Sequence, residues 1–171
     1  MEIQTSERGL DAERLPEHLD RLYLAAWAMC GSAHDAEDLV QEMFVRVLAK
    51  RRALRRDDPL PYLTRALRNT YLTSVRTASR RPRTVELRAV DSSSLGAISQ
   101  RDITVEQRAT LDAIAALPDD FRAALVAVDI VGLTYREAGH ALEAREATIT
   151  TRLFRARRRV AHALQAGDTD T

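Results

Sequence analysis

A chain of 171 residues with 45% hydrophobic content can hold one medium domain or two small ones around a buried core, and no uninterrupted apolar run reaches the ~20 residues that span a bilayer. The single cysteine, Cys30, excludes an internal disulfide framework, and the four histidines show no metal-ligand spacing with it. The N-terminus is acidic and polar, unlike a signal peptide, so a reduced, cytoplasmic protein without metal or cofactor is expected.

The net charge of +1 hides a banded distribution. Residues 1–45 carry net −7, residues 46–88 net +10, residues 89–151 net −5 and residues 152–171 net +3. Two separated basic zones suit two contacts with a polyanion, and the acidic zones suit a protein partner. Of the 26 basic residues only Lys50 is lysine. Arginine favours bidentate phosphate and guanine contacts, though an arginine-rich codon bias would give the same composition.

In chain order, "PEHLDRLYLAAWAM" (16–29) places Leu19, Leu22, Tyr23, Ala26 and Trp27 at helical spacing, and "GSA" breaks the run. A second helix starts near residue 34 in "HDAEDLVQEMFVRVLAKRRAL", with Asp35, Glu37 and Asp38 at its positive end. Its expected inward stripe is Leu39, Met43, Val47 and Leu48, widened by Val40 and Phe44. "RRDDP" stops it, and Asp58 or Leu60 before a proline starts a third helix, about 60–79, with Leu63, Leu67, Tyr71 and Val75 on one face. These three make an N-terminal bundle. From 82 to 105 the periodicity fails in a stretch with Pro, Gly and a Ser triplet, which reads as a flexible linker and a domain boundary. Helical pattern returns in "EQRATLDAIAAL" and "PDDFRAALVAVDIVG", and no segment alternates as a strand. The expected fold is all-α, with two small helical domains at 16–81 and 106–165 and tails at 1–15 and 166–171.

The last segment, "GLTYREAGHALEAREATITTRLFRARRR" (132–159), has the pattern of a helix-turn-helix. Thr134 and Glu137 fit a capping box, and Tyr135, Ala138 and Leu142 form the buried side of the first helix. Gly139, costly by about 1 kcal/mol in a helix interior, implies a tight helix–helix crossing. The second helix, about 146–163, buries Ile149, Leu153, Ala156 and Val160 and presents Thr148, Thr151, Arg152, Arg155, Arg158 and Arg159. Short hydroxyl side chains followed by arginines suit base edges and phosphates, although a helical hairpin with a solvated basic face has the same pattern.

These residues resemble a known family. "LPDDFRAALVAVDIVGLTYREAGHALEAREATITTRLFRARRRV" is similar to region 4, the promoter-recognition domain of bacterial extracytoplasmic-function sigma factors, at Leu117, Pro118, Arg122, Gly132 to Tyr135, Glu137, Thr148, Ile149, Thr151 to Leu153 and Arg155 to Arg157. "DAEDLVQEMFVRVL" (35–48) is similar to the region 2.2 helix, and "PYLTRALRNTYLTSVRTASRRPR" (61–83) to regions 2.3 and 2.4. The resemblance runs over about 16–165 in the family order and implies a non-catalytic sigma factor that directs core RNA polymerase to promoters. It implies polymerase contacts at Asp35, Asp38, Leu39, Gln41, Glu42 and Phe44, against the clamp helices of the largest subunit, with region 4 on the flap of the second. It implies −10 binding and melting by Tyr62, Arg65, Arg68, Asn69, Tyr71, Arg76, Arg80 and Arg81, with Asn69 at the base-pocket position; capture of a flipped base needs such stacking and cationic walls. For Tyr62 and Tyr71, core packing is the competing role. It implies −35 binding by Arg145, Thr148, Thr150, Thr151, Arg152, Phe154, Arg155 and Arg158. An anti-sigma factor is a further implied partner, with no insertion into the membrane. The linker would thread toward the RNA exit path, with Asp91 and Asp102 imitating nucleic acid.

The chain departs from the family pattern at Thr73 (often Asp), Glu143 (a turn glycine), Arg145 (a serine cap) and Thr150 (a basic residue). Two rival functions remain open: a sigma-like decoy that sequesters an anti-sigma factor, expected to lose basic residues on its DNA faces, and a stand-alone helix-turn-helix regulator, which would not need the 35–48 helix. No constellation for catalysis is present in the sequence. Cys30 reads as a small, buried apolar residue.

Overall fold

The structure, a computed structural model, describes residues 15–49, 58–80 and 103–167. Residues 1–14, 50–57, 81–102 and 168–171 lie outside the described residues; these include most of the expected tails and linker, the continuation of the second helix expected beyond residue 49, and Arg81. Among the described residues, seven α-helices follow in order: α1 (Leu15–Cys30), α2 (Ala33–Ala49), α3 (Leu60–Arg80), α4 (Val105–Ala115), α5 (Asp119–Leu125), α6 (Tyr135–Leu142) and α7 (Glu146–Gly167). A single π-helical turn, Val126–Ile130, continues α5. No strand occurs among the described residues.

Local chemistry sets the helix ends. Gly31 takes the left-handed conformation (φ 77°) that stops α1, donating its N–H to the Trp27 carbonyl at 2.7 Å. Ser32 Oγ then accepts from the Asp35 N–H at 3.2 Å and opens α2. The Asp58 carboxylate accepts from the Leu60 N–H at 3.0 Å at the start of α3.

Helices α1 to α3 pack as a bundle around Leu22, Trp27, Val40, Met43, Leu63 and Leu67, all buried. Two expected core residues are corrected. Leu48 is 56% exposed, because Ala36, Leu39, Val40, Met43 and Val47 set the inward face of α2 and the next residue turns about 100° away. Val75 is 46% exposed, because the last turns of α3, from Thr73 to Ser79, run past the bundle with no buried residue. Buried Thr64 and Thr70 donate their hydroxyls to the carbonyls of Leu60 (2.8 Å) and Ala66 (2.9 Å), which satisfies them without partners from other helices.

The C-terminal half, α4 to α7, buries Leu111, Ile114, Leu125, Val126, Ile149 and Leu153. It packs directly on the first half: α1 lies against α4 and the π-turn, and α3 against α6. One continuous core results, in which residues of both halves contribute. Arg122 is the main polar tie across this seam. Although only 8% exposed, it donates to the Ala115 carbonyl at 2.6 Å, to Tyr71 Oη at 3.0 Å and to the Asp119 carboxylate. Its guanidinium also lies over the Tyr71 ring, 5.2 Å from the centroid. Tyr71 therefore packs at the seam, and burial raises its phenol above the ordinary value while Arg122 acts against that shift.

Candidate nucleic-acid interface

The helix-turn-helix is built by α6, a three-residue turn and α7. Thr134 caps α6: its Oγ1 accepts from the Glu137 N–H at 3.2 Å, and the Glu137 carboxylate accepts from the Thr134 N–H at 2.8 Å. The Thr134 hydroxyl also donates to the Glu137 carboxylate at 2.7 Å, and this bond, with that from the Thr134 N–H, holds the carboxyl below its ordinary value. Ala138 and Leu142 are buried as expected, and Tyr135 is half-buried. Glu143 occupies the left-handed turn (φ 54°, ψ 41°), a conformation that costs a non-glycine residue about 1–2 kcal/mol. The tightness at Gly139 comes from the turn rather than from a crossing helix: a Cβ there would sit 2.8 Å from the Ala144 carbonyl oxygen.

Helix α7 turns Ile149, Leu153, Ala156 and Val160 inward and leaves the opposite face open. Two of its arginines are held against the scaffold. Arg152 pairs with Asp120 of α5 at 2.7 Å. Arg157 makes a two-pronged pair with Asp129 of the π-turn, at 2.9 and 2.6 Å, and the Asp129 hydrogen bond raises its pKa. Arg145, Thr150, Thr151, Phe154, Arg155 and Arg158 are exposed, and Thr148 is half-buried. The eight residues expected at this interface thus fall on the turn and α7 between Arg145 and Arg158, with Arg152 already engaged by a carboxylate. Arg155, Arg158 and Arg159 line a basic cleft with Phe121 and His162. His162 was not singled out in the sequence, although its spacing of seven from Arg155 places both on one side of the helix.

Helix α3 divides the other expected set. Tyr62, Arg65, Asn69, Arg76 and Arg80 recur at spacings that keep them on one face, where Arg65, Asn69 and Arg76 are exposed and Tyr62 is half-buried. Arg68 and Tyr71 are turned toward α5 and border a small cavity with Asp119 and Arg122. Arg65 forms an ion pair with Glu143 from the helix-turn-helix turn, so the two expected contact regions touch.

On α2, Asp35, Asp38 and Glu42 are exposed, Gln41 and Phe44 are half-buried, and Leu39 is 4% exposed and belongs to the core. Glu42 is paired with Arg46 and His34 lies 3.8 Å from Asp38. Val45, 69% exposed, and Leu48 share the outward side with Gln41. Neither was selected from sequence as a contact; Val45, an apolar residue outside the expected inward stripe, carries a signal in the sequence, whereas Leu48 was assigned to that stripe.

The model of Sigma-70 region 2 matches residues 16–81 and that of Sigma-70, region 4 matches residues 107–160. The ECF RNA polymerase sigma factor SigE of Mycolicibacterium smegmatis is 32% identical over 167 residues, covering 93% of this chain and 63% of SigE. SigM of Bacillus subtilis is 29% identical over 154 residues, covering 90% of this chain and 94% of SigM. The chain therefore spans slightly less than two thirds of the SigE length and nearly all of SigM. Among solved structures, the sigma factor RpoE of Bartonella quintana, in complex with the anti-sigma factor NepR, has the same fold, with a TM-score of 0.68 and 23% identity over 90% of this chain and 95% of that one. SigJ of Mycobacterium tuberculosis aligns with a TM-score of 0.55 and 24% identity, over 88% of this chain and 54% of SigJ.

With regions 2 and 4 both present and in order, the chain belongs to the sigma-70 family of transcription initiation factors. Its relatives place it in the extracytoplasmic-function branch: it is an ECF sigma factor.

Proposed function

We propose that this chain acts as an alternative sigma subunit that binds core RNA polymerase through α2 and directs it to promoters through α3 and α7. The observation that carries this reading is the placement of one open, arginine-bearing face on each of the two matched regions. Asp35, Asp38, Gln41 and Glu42, with Phe44 and the exposed Val45 and Leu48, supply the polymerase-docking face, while Leu39 supports it from the core. Tyr62, Arg65, Asn69, Arg76 and Arg80 grip and capture the melted −10 strand. The exposed side chains between Arg145, in the turn, and Arg158 of α7 enter the −35 major groove. The assigned domains are 16–81 and 106–165, joined by 82–105. The protein does no covalent chemistry and needs no cofactor; it works in the cytoplasm, where its polymerase is.

Charged and aromatic groups on both faces argue against a decoy, which would not keep them. The solved RpoE structure is a complex with an anti-sigma factor, and an anti-sigma partner is proposed here by analogy with it. Arg65 cannot serve both Glu143 and a DNA strand, so −10 engagement by Arg65 breaks that ion pair.

Run-off transcription with purified core polymerase on a promoter library tests this reading. Discrete promoter-dependent transcripts that require the protein are expected. Tight binding to a cognate anti-sigma protein with no transcript would favour the decoy. Arg155→Ala is expected to weaken promoter binding by about tenfold and leave core-polymerase binding unchanged; equal loss of both would misplace the face.

A further inference from the structure

The open side of α7 is not the hydrogen-bonding surface that its hydroxyl groups suggest. Ala147, Thr150, Thr151, Phe154 and Arg158 recur at i, i+3, i+4, i+7 and i+11, directly opposite the buried stripe. Thr150 donates its hydroxyl to the Glu146 carbonyl and Thr151 donates to the Ala147 carbonyl, each at 3.1 Å. Both hydroxyl protons are thus committed to the helix backbone, and the side chains offer the groove a methyl group and a weak acceptor. Phe154 stands 61% exposed in line with them, with the Arg158 guanidinium 5.8 Å from its ring centroid. Residues 146–155 contain no Asn, Gln, Lys or Ser, and Arg152 is turned to Asp120. Along this stripe the chemistry is therefore apolar up to Arg158, while Arg155 lies to one side in the basic cleft.

We propose that the Ala147–Thr150–Thr151–Phe154 stripe reads thymine through its 5-methyl group. Thymine alone presents a methyl in the major groove, and alanine, threonine methyl and phenylalanine are the surfaces that pack on it. Arg155 and Arg158 anchor the flanking phosphates, so affinity and selectivity are divided between the cleft and the stripe. The inference rests on the assignment of α7 to the −35 element and specifies which base feature it recognises there.

The test uses full-length protein bound to core polymerase. Duplexes are selected from a library randomised in the upstream element, and thymines within the α7 footprint are expected to be enriched. Replacing each such thymine by deoxyuridine removes only the methyl and is expected to weaken binding about fourfold per site. Thr150→Val and Thr151→Val keep a methyl and lose the hydroxyl; both should retain affinity and the preference for thymine over uracil. Thr150→Ser and Thr151→Ser keep the hydroxyl; each should lose about as much affinity as the uracil substitution and lose the preference at its own site. Equal binding of thymine and uracil duplexes, or loss of binding in the valine variants, overturns methyl readout while leaving α7 as the −35 reader. Absence of any upstream selection, with Arg155→Ala without effect, overturns the −35 assignment itself.

Discussion

The two proposed DNA faces differ in how open they are. On α7 the outward stripe is free of protein, because its neighbouring arginines at 152 and 157 are tied back to Asp120 and Asp129. On α3 the corresponding region is divided: Asn69 and Arg76 face outward, while Arg65, Arg68 and Tyr71 meet the C-terminal half. The proposed −35 face is open as it stands, whereas part of the proposed −10 face is engaged by the C-terminal half. Pre-formed contact faces bind at little conformational cost, whereas a face that must first be uncovered binds with the cost of uncovering it.

The strongest way to break this comparison is to ask whether the halves are one body. Leu67→Ala in α3 and Leu153→Ala in α7 remove fully buried side chains and should each cost about 2–5 kcal/mol. If the seam couples the halves, Leu153→Ala will shift denaturant unfolding followed by Trp27 fluorescence, although Trp27 lies in α1. A Trp27 transition unmoved by Leu153→Ala would mean that the halves unfold independently.

Cys30 gives a chemical probe of the same seam. Burial, and secondarily Asp35, pushes its thiol up from 9.0 to about 11, with Arg122 acting the other way. Since thiolate is the reactive form, alkylation at pH 8 should be roughly a hundredfold slower in the folded protein than in urea. The sign for stability follows: the neutral thiol's contribution is present below about pH 9 and is lost as pH rises toward 11. Labelling that matches the unfolded rate at pH 8 would place Cys30 in solvent and the seam open.

Arg122→Ala should cost about 2 kcal/mol, because it removes charge-assisted hydrogen bonds at a buried site. A double-mutant cycle with Tyr71→Phe is expected to show about 1 kcal/mol of coupling; zero coupling would make the α3–α5 contact incidental. The smallest effect is expected at Glu143→Arg. Both side chains of the Arg65–Glu143 pair are substantially exposed, so reversal should change stability by less than about 1 kcal/mol, and less still at high salt. A loss well above that would show that the turn depends on this pair.

Most helices were legible because their apolar spacing coincides with what they bury. The α7 stripe Ile149, Leu153, Ala156 and Val160 is inward as read, and the Thr134–Glu137 capping box forms as its spacing requires. Leu48 and Val75 misled because periodicity reports which residues could be covered, not where the covering helices stop. The π-turn at Val126–Ile130 left no mark in the sequence, since widening a helix by one residue changes no residue type. The packing of one half on the other was invisible for a related reason. Arg122 matches the family pattern, but its partner Tyr71 comes from a distant position in the other half, and no local spacing encodes their meeting. The Thr151 hydroxyl suits a base contact by residue type and Thr150 is implied by the family resemblance, but the bonds that occupy both hydroxyls are visible only in three dimensions.

The ion pair between Arg65 and the strained Glu143 makes the turn of the helix-turn-helix a tethered competitor for the promoter contact proposed for Arg65. A competitor on the same chain cannot be diluted away: its effective concentration is fixed by the connection, whatever the protein level in the cell. Raising the amount of protein therefore leaves unchanged the fraction of molecules in which this pair is broken. Only a binding partner with unequal affinity for the open and closed forms shifts that fraction.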